Sequence, residues 1–284
     1  MRRTLLDSKP MDEVAIDRLR CFEPEALAMH PDGYYVAYSG GKDSDVILDL
    51  VRRSGVKFTA HHNLTTCDPP EVIYHIRTQS DVVISKPPIT MWALIRKRGM
   101  PPRRTARFCC EELKERGGSG RIVITGVRWG ESARRSKRQM VEACYKDKTK
   151  RYLHPIIDWP TDAVWEYLRG REIPYCKLYD PPYNQRRVGC VLCPMVRDVA
   201  RQIRLWPKLA AAWERAVKAT FKPDKKREGG YVFSTAQEYW EWWLDRDAPS
   251  RKGDSDPVLF EDNPELIEAG DEMTPACSPR HEGK

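Results

Sequence analysis

The 284-residue sequence has no apolar run approaching the ~18 residues that a membrane-spanning helix needs. Met1-Arg2-Arg3 is followed by a short apolar stretch that Asp7 and Lys9 break, so a secretory leader is not expected. Without an export signal, the nine cysteines are expected to sit in a reducing cytoplasm. There they serve as metal ligands, catalytic thiols or core filler more readily than as disulfides. No internal repeat is visible. Two phosphate-binding signatures are also missing: neither G-x-x-x-x-G-K-[ST] nor G-x-G-x-x-G occurs at the glycine-rich turn, which disfavours a P-loop NTPase.

What is present is a basic, core-forming chain. Hydrophobic residues make up 40%, enough for one large α/β domain with an appendage or for two small domains. The net charge of +8 is uneven. From Asp247 to Lys284 ten acidic residues face four basic ones, so residues 1–246 carry +14. A basic body suits phosphorylated ligands or nucleic acid, and charge alone does not separate the two.

Strand and helix patterns alternate from residue 33 onward. Strands are expected at 34–38, 56–62, 82–85 and 122–126, and helices at 45–53, 70–78 and 91–98. This alternation implies a mostly parallel α/β sheet sandwiched by helices. Helical spacing also marks 11–30 and 236–244, and Thr161-Asp162 can cap a helix through Leu168. A helix over 198–219 should kink or break at Pro207. The expected organisation is a helical segment at 1–32, a nucleotide domain at 33–195, a helical appendage at 196–247 and an acidic, mobile tail at 248–284.

Ser39-Gly40-Gly41-Lys42-Asp43-Ser44 lies between an expected strand and an expected helix. Glycines bring backbone N–H groups close to phosphate oxygens, and a helix N-terminus adds positive potential. Ser39 and Ser44 can donate hydroxyl hydrogen bonds, and Lys42 can neutralise charge. Arg128, Arg134 and Arg135 follow the end of another expected strand, where open parallel sheets bind ligands. Arginine suits bidentate contact with phosphate or sulfate. Glu131 can orient one of them or help to hold a metal.

Cys109 and Cys110 are adjacent, and Cys190 and Cys193 form a Cys-x-x-Cys turn. Four thiolates suit either Zn²⁺ or an iron–sulfur cluster, and the spacing leaves both open. Cys21, Cys67, Cys144 and Cys176 are isolated, with filler as the default reading.

Ser39–Ser44 resembles the signature of the adenine nucleotide α-hydrolase (PP-loop) superfamily. Thr66-Cys67-Asp68-Pro69-Pro70-Glu71, Gly126-Val127-Arg128-Trp129-Gly130-Glu131-Ser132 and His154-Pro155-Ile156-Ile157-Asp158-Trp159 are similar, in that order, to motifs of phosphoadenosine phosphosulfate (PAPS) reductase-like proteins. The resemblance implies a fold of that type and chemistry at the α-phosphate of ATP or at a sulfonucleotide. It implies a nucleotide site of Ser39, Gly40, Gly41, Lys42, Asp43, Ser44, Asp68, Gly126, Arg128, Arg134 and Arg135, with Lys42, Asp43, Arg128 and Glu131 in the chemistry. Asp43 and Asp68 are the expected holders of Mg²⁺ if ATP is the substrate. The cysteine pattern resembles that of adenylyl-sulfate (APS) reductases, which implies a 4Fe–4S cluster on Cys109, Cys110, Cys190 and Cys193, with zinc as runner-up.

One feature of reductases is missing: the C-terminal Glu-Cys-Gly-Leu-His motif that carries the attacking thiol. The only late cysteine, Cys277, lies in the acidic tail with no evident partner to lower its pKa. The expectation therefore leans to ATP-dependent activation of an acceptor for thiolation, with a sulfur donor as partner. The alternative is reduction of APS or PAPS to sulfite with a thiol reductant protein. A non-catalytic nucleotide and cluster sensor is a further alternative. Arg96-Lys97-Arg98 and Arg103, Arg104 and Arg107 suit a nucleic-acid acceptor or simply a solvated face.

Overall fold

The computed structural model describes residues 9–223 and 233–245. Six strands form one sheet: β1 (Tyr34–Ala37), β2 (Phe58–Asn63), β3 (Val82–Ser85), β4 (Ile122–Ile124), β5 (Val141–Ala143) and β6 (Arg151–Leu153). Their order is β3-β2-β1-β4-β6-β5. All pairs are parallel except β5 with β6. The α/β sheet expected from the sequence is present. The acidic tail and Cys277 lie outside the described residues.

β1 is buried on both faces at Tyr34, Tyr35 and Val36, as a central parallel strand must be. Helix α2 (Lys42–Ser54) follows it, with Val46, Ile47, Leu50 and Val51 in the core. It begins three residues before the expected Asp45, so Lys42, Asp43 and Ser44 form its first turn. Gly55, in the left-handed conformation, ends it. Helix α3 (Pro70–Arg77) links β2 to β3, and α4 (Met91–Arg98) begins the long crossing from β3 to β4. Right-handed crossovers place α2 and α3 on one face and α4 on the other.

Helix α1 (Met11–Met29) packs on α2, which also packs on α5 (Thr161–Gly170). Arg18 forks onto Asp158 at 2.8 Å through both terminal nitrogens and also reaches Pro155 O at 2.7 Å. The expected helix at 198–219 is two helices, α6 (Val199–Leu205) and α7 (Pro207–Lys218), broken at Pro207. α7 packs against α4, α6 and α8 (Ala236–Leu244). β5 and β6 were not expected from the sequence. Among the described residues no helix is long and apolar enough to cross a membrane.

Trp213 is the hub of the second helical layer. Its ring stacks on Trp243 at 4.9 Å and meets Trp92 edge-on at 5.3 Å. Its indole N–H donates to Val191 O at 2.9 Å. Trp213→Ala should lower stability by about 3–5 kcal/mol, read as a drop in the chemical-denaturation midpoint.

Candidate functional site

The strand order reverses between β1 and β4, the point where open α/β sheets form a ligand crevice at their carboxyl ends. Both expected phosphate-handling segments leave the sheet there, Ser39–Ser44 after β1 and Gly126–Arg128 after β4. Gly40 has φ +70°, and a Cβ on it would stand 2.9 Å from Ile76 Cγ1 and 3.1 Å from Val72 Cγ1. Only glycine fits that turn against α3. The Ser44 hydroxyl accepts from Gly41 N–H at 3.0 Å, donates to Gly41 O at 2.7 Å and meets Ser39 Oγ at 3.2 Å. The loop is thus shaped by its own side chains.

Asp43 joins the two segments. Its Oδ2 accepts from Lys42 Nζ at 2.7 Å and its Oδ1 from Arg128 Nε at 2.7 Å. Arg128 was expected to reach outward to an anion. Instead it is 1% exposed, and its Nη1 donates to Trp159 O at 2.9 Å. Gly126 lies so close to α2 that a Cβ would sit 3.0 Å from Asp43 backbone atoms. Glu131 accepts the Arg128 N–H at 3.0 Å and pairs with Arg135. Burial lowers the Arg135 pKa, and the nearby Arg187 charge adds to that. Arg134 is exposed on the same turn. Both Asp43 oxygens thus accept from cationic side chains. Asp68 is placed elsewhere: its Oδ2 accepts Thr65 N–H at 2.7 Å, and its charge acts on Lys114, Cys190 and His62.

Cys109, Cys110, Cys190 and Cys193 line one cavity, together with Thr65, Lys114 and Trp213. Among the described residues no three His, Cys, Asp or Glu side chains are grouped to hold a single metal ion. A hydrogen bond from Cys109 lowers Cys110 to about 7, helped by Lys114 and Arg107, and raises Cys109 in turn. Cys190 falls to about 6 through a hydrogen bond from Cys67 and the Lys114 charge. Lys114 itself is raised, chiefly by Cys190, although it keeps an exposed surface.

Cys67, read from the sequence as filler, is fully buried beside this set. Thr65 Oγ1 lies 3.3 Å from Cys67 Sγ and 3.5 Å from Cys190 Sγ. Two further groups were given no role from the sequence. Lys42 N–H donates to Tyr179 Oη at 2.9 Å. His154, 1% exposed, meets Thr125 Oγ1 through Nδ1 at 2.7 Å, beside Gly126, and its Nε2 stands 3.8 Å from Glu142.

A mostly parallel sheet with a Ser/Gly turn at its switch point belongs to the class of open α/β sheets that take ligands at the carboxyl ends of their strands. The model of the phosphoadenosine phosphosulfate reductase domain matches residues 33–196, and the chain belongs to that family. It is 27% identical over 217 residues to the uncharacterized protein MJ0066 of Methanocaldococcus jannaschii, covering 68% of this chain and 43% of that one. It is 27% identical over 169 residues to an adenosine 5'-phosphosulfate reductase of Oceanobacillus iheyensis, covering 55% of this chain and 69% of that one. The chain therefore spans less than half the length of the first relative. A crystal structure of phosphoadenylyl-sulfate reductase from Candida auris aligns at 17% identity with a TM-score of 0.47, over 66% of this chain and 98% of that one.

Removing one partner of a buried ion pair strands the other. Asp43 would keep Lys42 here, while Trp159 O would lose its donor, so Arg128→Met should cost about 1–3 kcal/mol of stability, measured by chemical denaturation. Burial also holds the His154 pKa below 6.5. Below that value the unfolded chain binds the proton and the folded one resists it, so stability falls as pH falls. The melting temperature should decline from pH 7 toward pH 5.5, with a shallower slope in His154→Asn.

Proposed function

We propose that this chain is a nucleotide-dependent enzyme of sulfur chemistry that binds ATP or a sulfonucleotide at Ser39–Ser44. The observation that carries the reading is the adjacency of two built features. Val188 packs 3.8 Å from where a Gly41 Cβ would stand, and Cys190 follows two residues later. A phosphate loop and a four-thiol cavity thus share one stretch of backbone.

The loop N–H groups and Lys42 hold the phosphates in this reading. Arg128 and Asp43 position Lys42 and the start of α2 rather than touching substrate. Arg134 and Arg135 are left to meet the far end of the anion, and Glu131 orients Arg135. A 4Fe–4S cluster takes one thiolate per iron, and Cys109, Cys110, Cys190 and Cys193 provide that donor set. When bound, the cluster would supply a redox-active, sulfide-bearing centre. Thr65 and Lys114 are placed to hydrogen-bond or neutralise its thiolates.

The reading favours ATP-dependent activation of an acceptor, with pyrophosphate or AMP leaving, on the strength of the Ser39–Ser44 loop and its resemblance to that of PP-loop ATP pyrophosphatases. A sulfur donor then completes thiolation. A nucleic-acid acceptor fits the exposed Arg96, Lys97 and Arg98 at the end of α4. The second reading, reduction of APS or PAPS to sulfite, is favoured by the likeness to the reductase of Oceanobacillus iheyensis.

Anaerobic purification with iron and sulfide analysis, followed by ATP, APS and PAPS in turn, separates these readings. Iron and sulfide with pyrophosphate or AMP from ATP is the expected result. Lys42→Ala should lower that rate roughly 100-fold. Sulfite from APS or PAPS selects the second reading. Absence of turnover of all three by cluster-replete protein rejects enzymatic function.

A further inference from the structure

The first N–H groups of a helix have no partner within the helix, and a phosphate loop works by offering them to the ligand. In α2 the first such donor is Lys42 N–H. Here it is taken: it donates to Tyr179 Oη at 2.9 Å. The same hydroxyl lies 3.3 Å from where a Gly41 Cβ would stand. The Tyr179 ring also lies 6.0 Å from Lys42 Nζ. One phenol therefore covers both the backbone donor and the ammonium of the residue at the centre of the loop.

Tyr179 is not an isolated side chain. It closes a short turn, with its N–H on Cys176 O at 3.2 Å, and its ring is wedged edge-on against Trp165 at 5.1 Å. The chain then folds back through Gln185 N–H to Leu178 O at 2.8 Å and lays Val188 against Gly41. It ends at Val191, whose N–H donates to Cys67 O at 2.9 Å. Cys190 lies on this strap between the loop contact and the Cys67 contact. Leu192, just beyond, is held at φ +53°, a conformation that costs a non-glycine residue energy and persists only under outside restraint.

We propose that the Tyr179 hydroxyl stands where a phosphate oxygen of the ligand binds. The ligand displaces it, and the displacement loosens the strap over residues 179–191 that carries Cys190. Tyr179 is on this view a positioning residue that links occupancy of the phosphate loop to the thiol cavity. The proposal rests on Ser39–Ser44 being a phosphate loop, and the test keeps the two apart.

Titration calorimetry of the full chain with ATP and with inorganic pyrophosphate compares the natural protein with Tyr179→Phe. The phenylalanine keeps the ring packing and frees Lys42 N–H. Loss of one competing hydrogen bond should tighten pyrophosphate about threefold to tenfold. Unchanged or weaker binding overturns the proposal and leaves the loop reading intact. If the natural protein binds neither ligand, the loop reading fails and takes the proposal with it. A second measurement needs no variant: backbone hydrogen exchange at Gln185 and Val191 should speed up when ATP saturates the natural protein. Exchange that slows or stays the same at both amides overturns the coupling.

Discussion

Asp43 holds two cations at once, Lys42 through Oδ2 and Arg128 through Oδ1. Arg128 is sealed from water and spends its other nitrogens on Trp159 O and Thr161. One carboxylate therefore ties the first turn of α2 to the loop after β4 and to the entry of α5. A buried guanidinium left unpaired costs several kcal/mol, whereas a surface pair such as Arg52 with Asp81 is worth roughly 1 kcal/mol or less. The position of the phosphate loop is consequently set by the buried pair and not by the many surface pairs around it. Gly126 belongs to the same constraint, since any side chain there pushes on Asp43 itself.

The constraint has an electrostatic consequence. Lys42 is 6% exposed and already neutralised by its neighbour, so the loop does not present a bare ammonium to an incoming anion. The α2 N-terminus and the arginines of the 134–135 turn add positive potential beside Lys42. On the thiol side the roles differ. Lys114 is the cation there, and Cys190, Asp68 and Cys110 all act on it. The loop and the thiol cavity thus draw on different lysines, although the 179–191 strap runs past both.

How much of this was legible in the sequence depends on how local each feature is. The strand, glycine turn and helix around Ser39–Ser44 are contiguous, and so is the break at Pro207. Both could be read from neighbours alone. β5 and β6 have three residues each, and Val141-Glu142-Ala143 and Arg151-Tyr152-Leu153 are too short to show a period. Arg128 looked like a ligand contact because an arginine after a strand end usually is one. Its inward turn is decided by Trp159 and Thr161, some thirty residues later. Cys67 stands 123 residues from Cys190, and only the fold puts them side by side. Tyr179 belongs with these, because the group it caps is a backbone N–H and leaves no trace in residue type.

The thiol cavity draws on five separate stretches: the loop after β2, α4 through Met91, the turn at 109–114, the Cys190–Cys193 turn and α7 through Trp213. Bringing five stretches together costs loop-closure entropy. Among the contacts that offset it are the Met91 N–H to Thr66 Oγ1 bond, the Val191 N–H to Cys67 O bond, the Trp213 N–H to Val191 O bond and the aromatic stack of α7 with α8. Any multivalent cationic centre that ties the four thiolates together would return its binding free energy as folding free energy, and most strongly in the α4, α7 and α8 layer. The segments after β1 and β4 are tied within the chain instead, through the buried Arg128 pair. The two halves should therefore differ in what holds them: a charge network within the chain on one side, and occupancy of the thiols on the other.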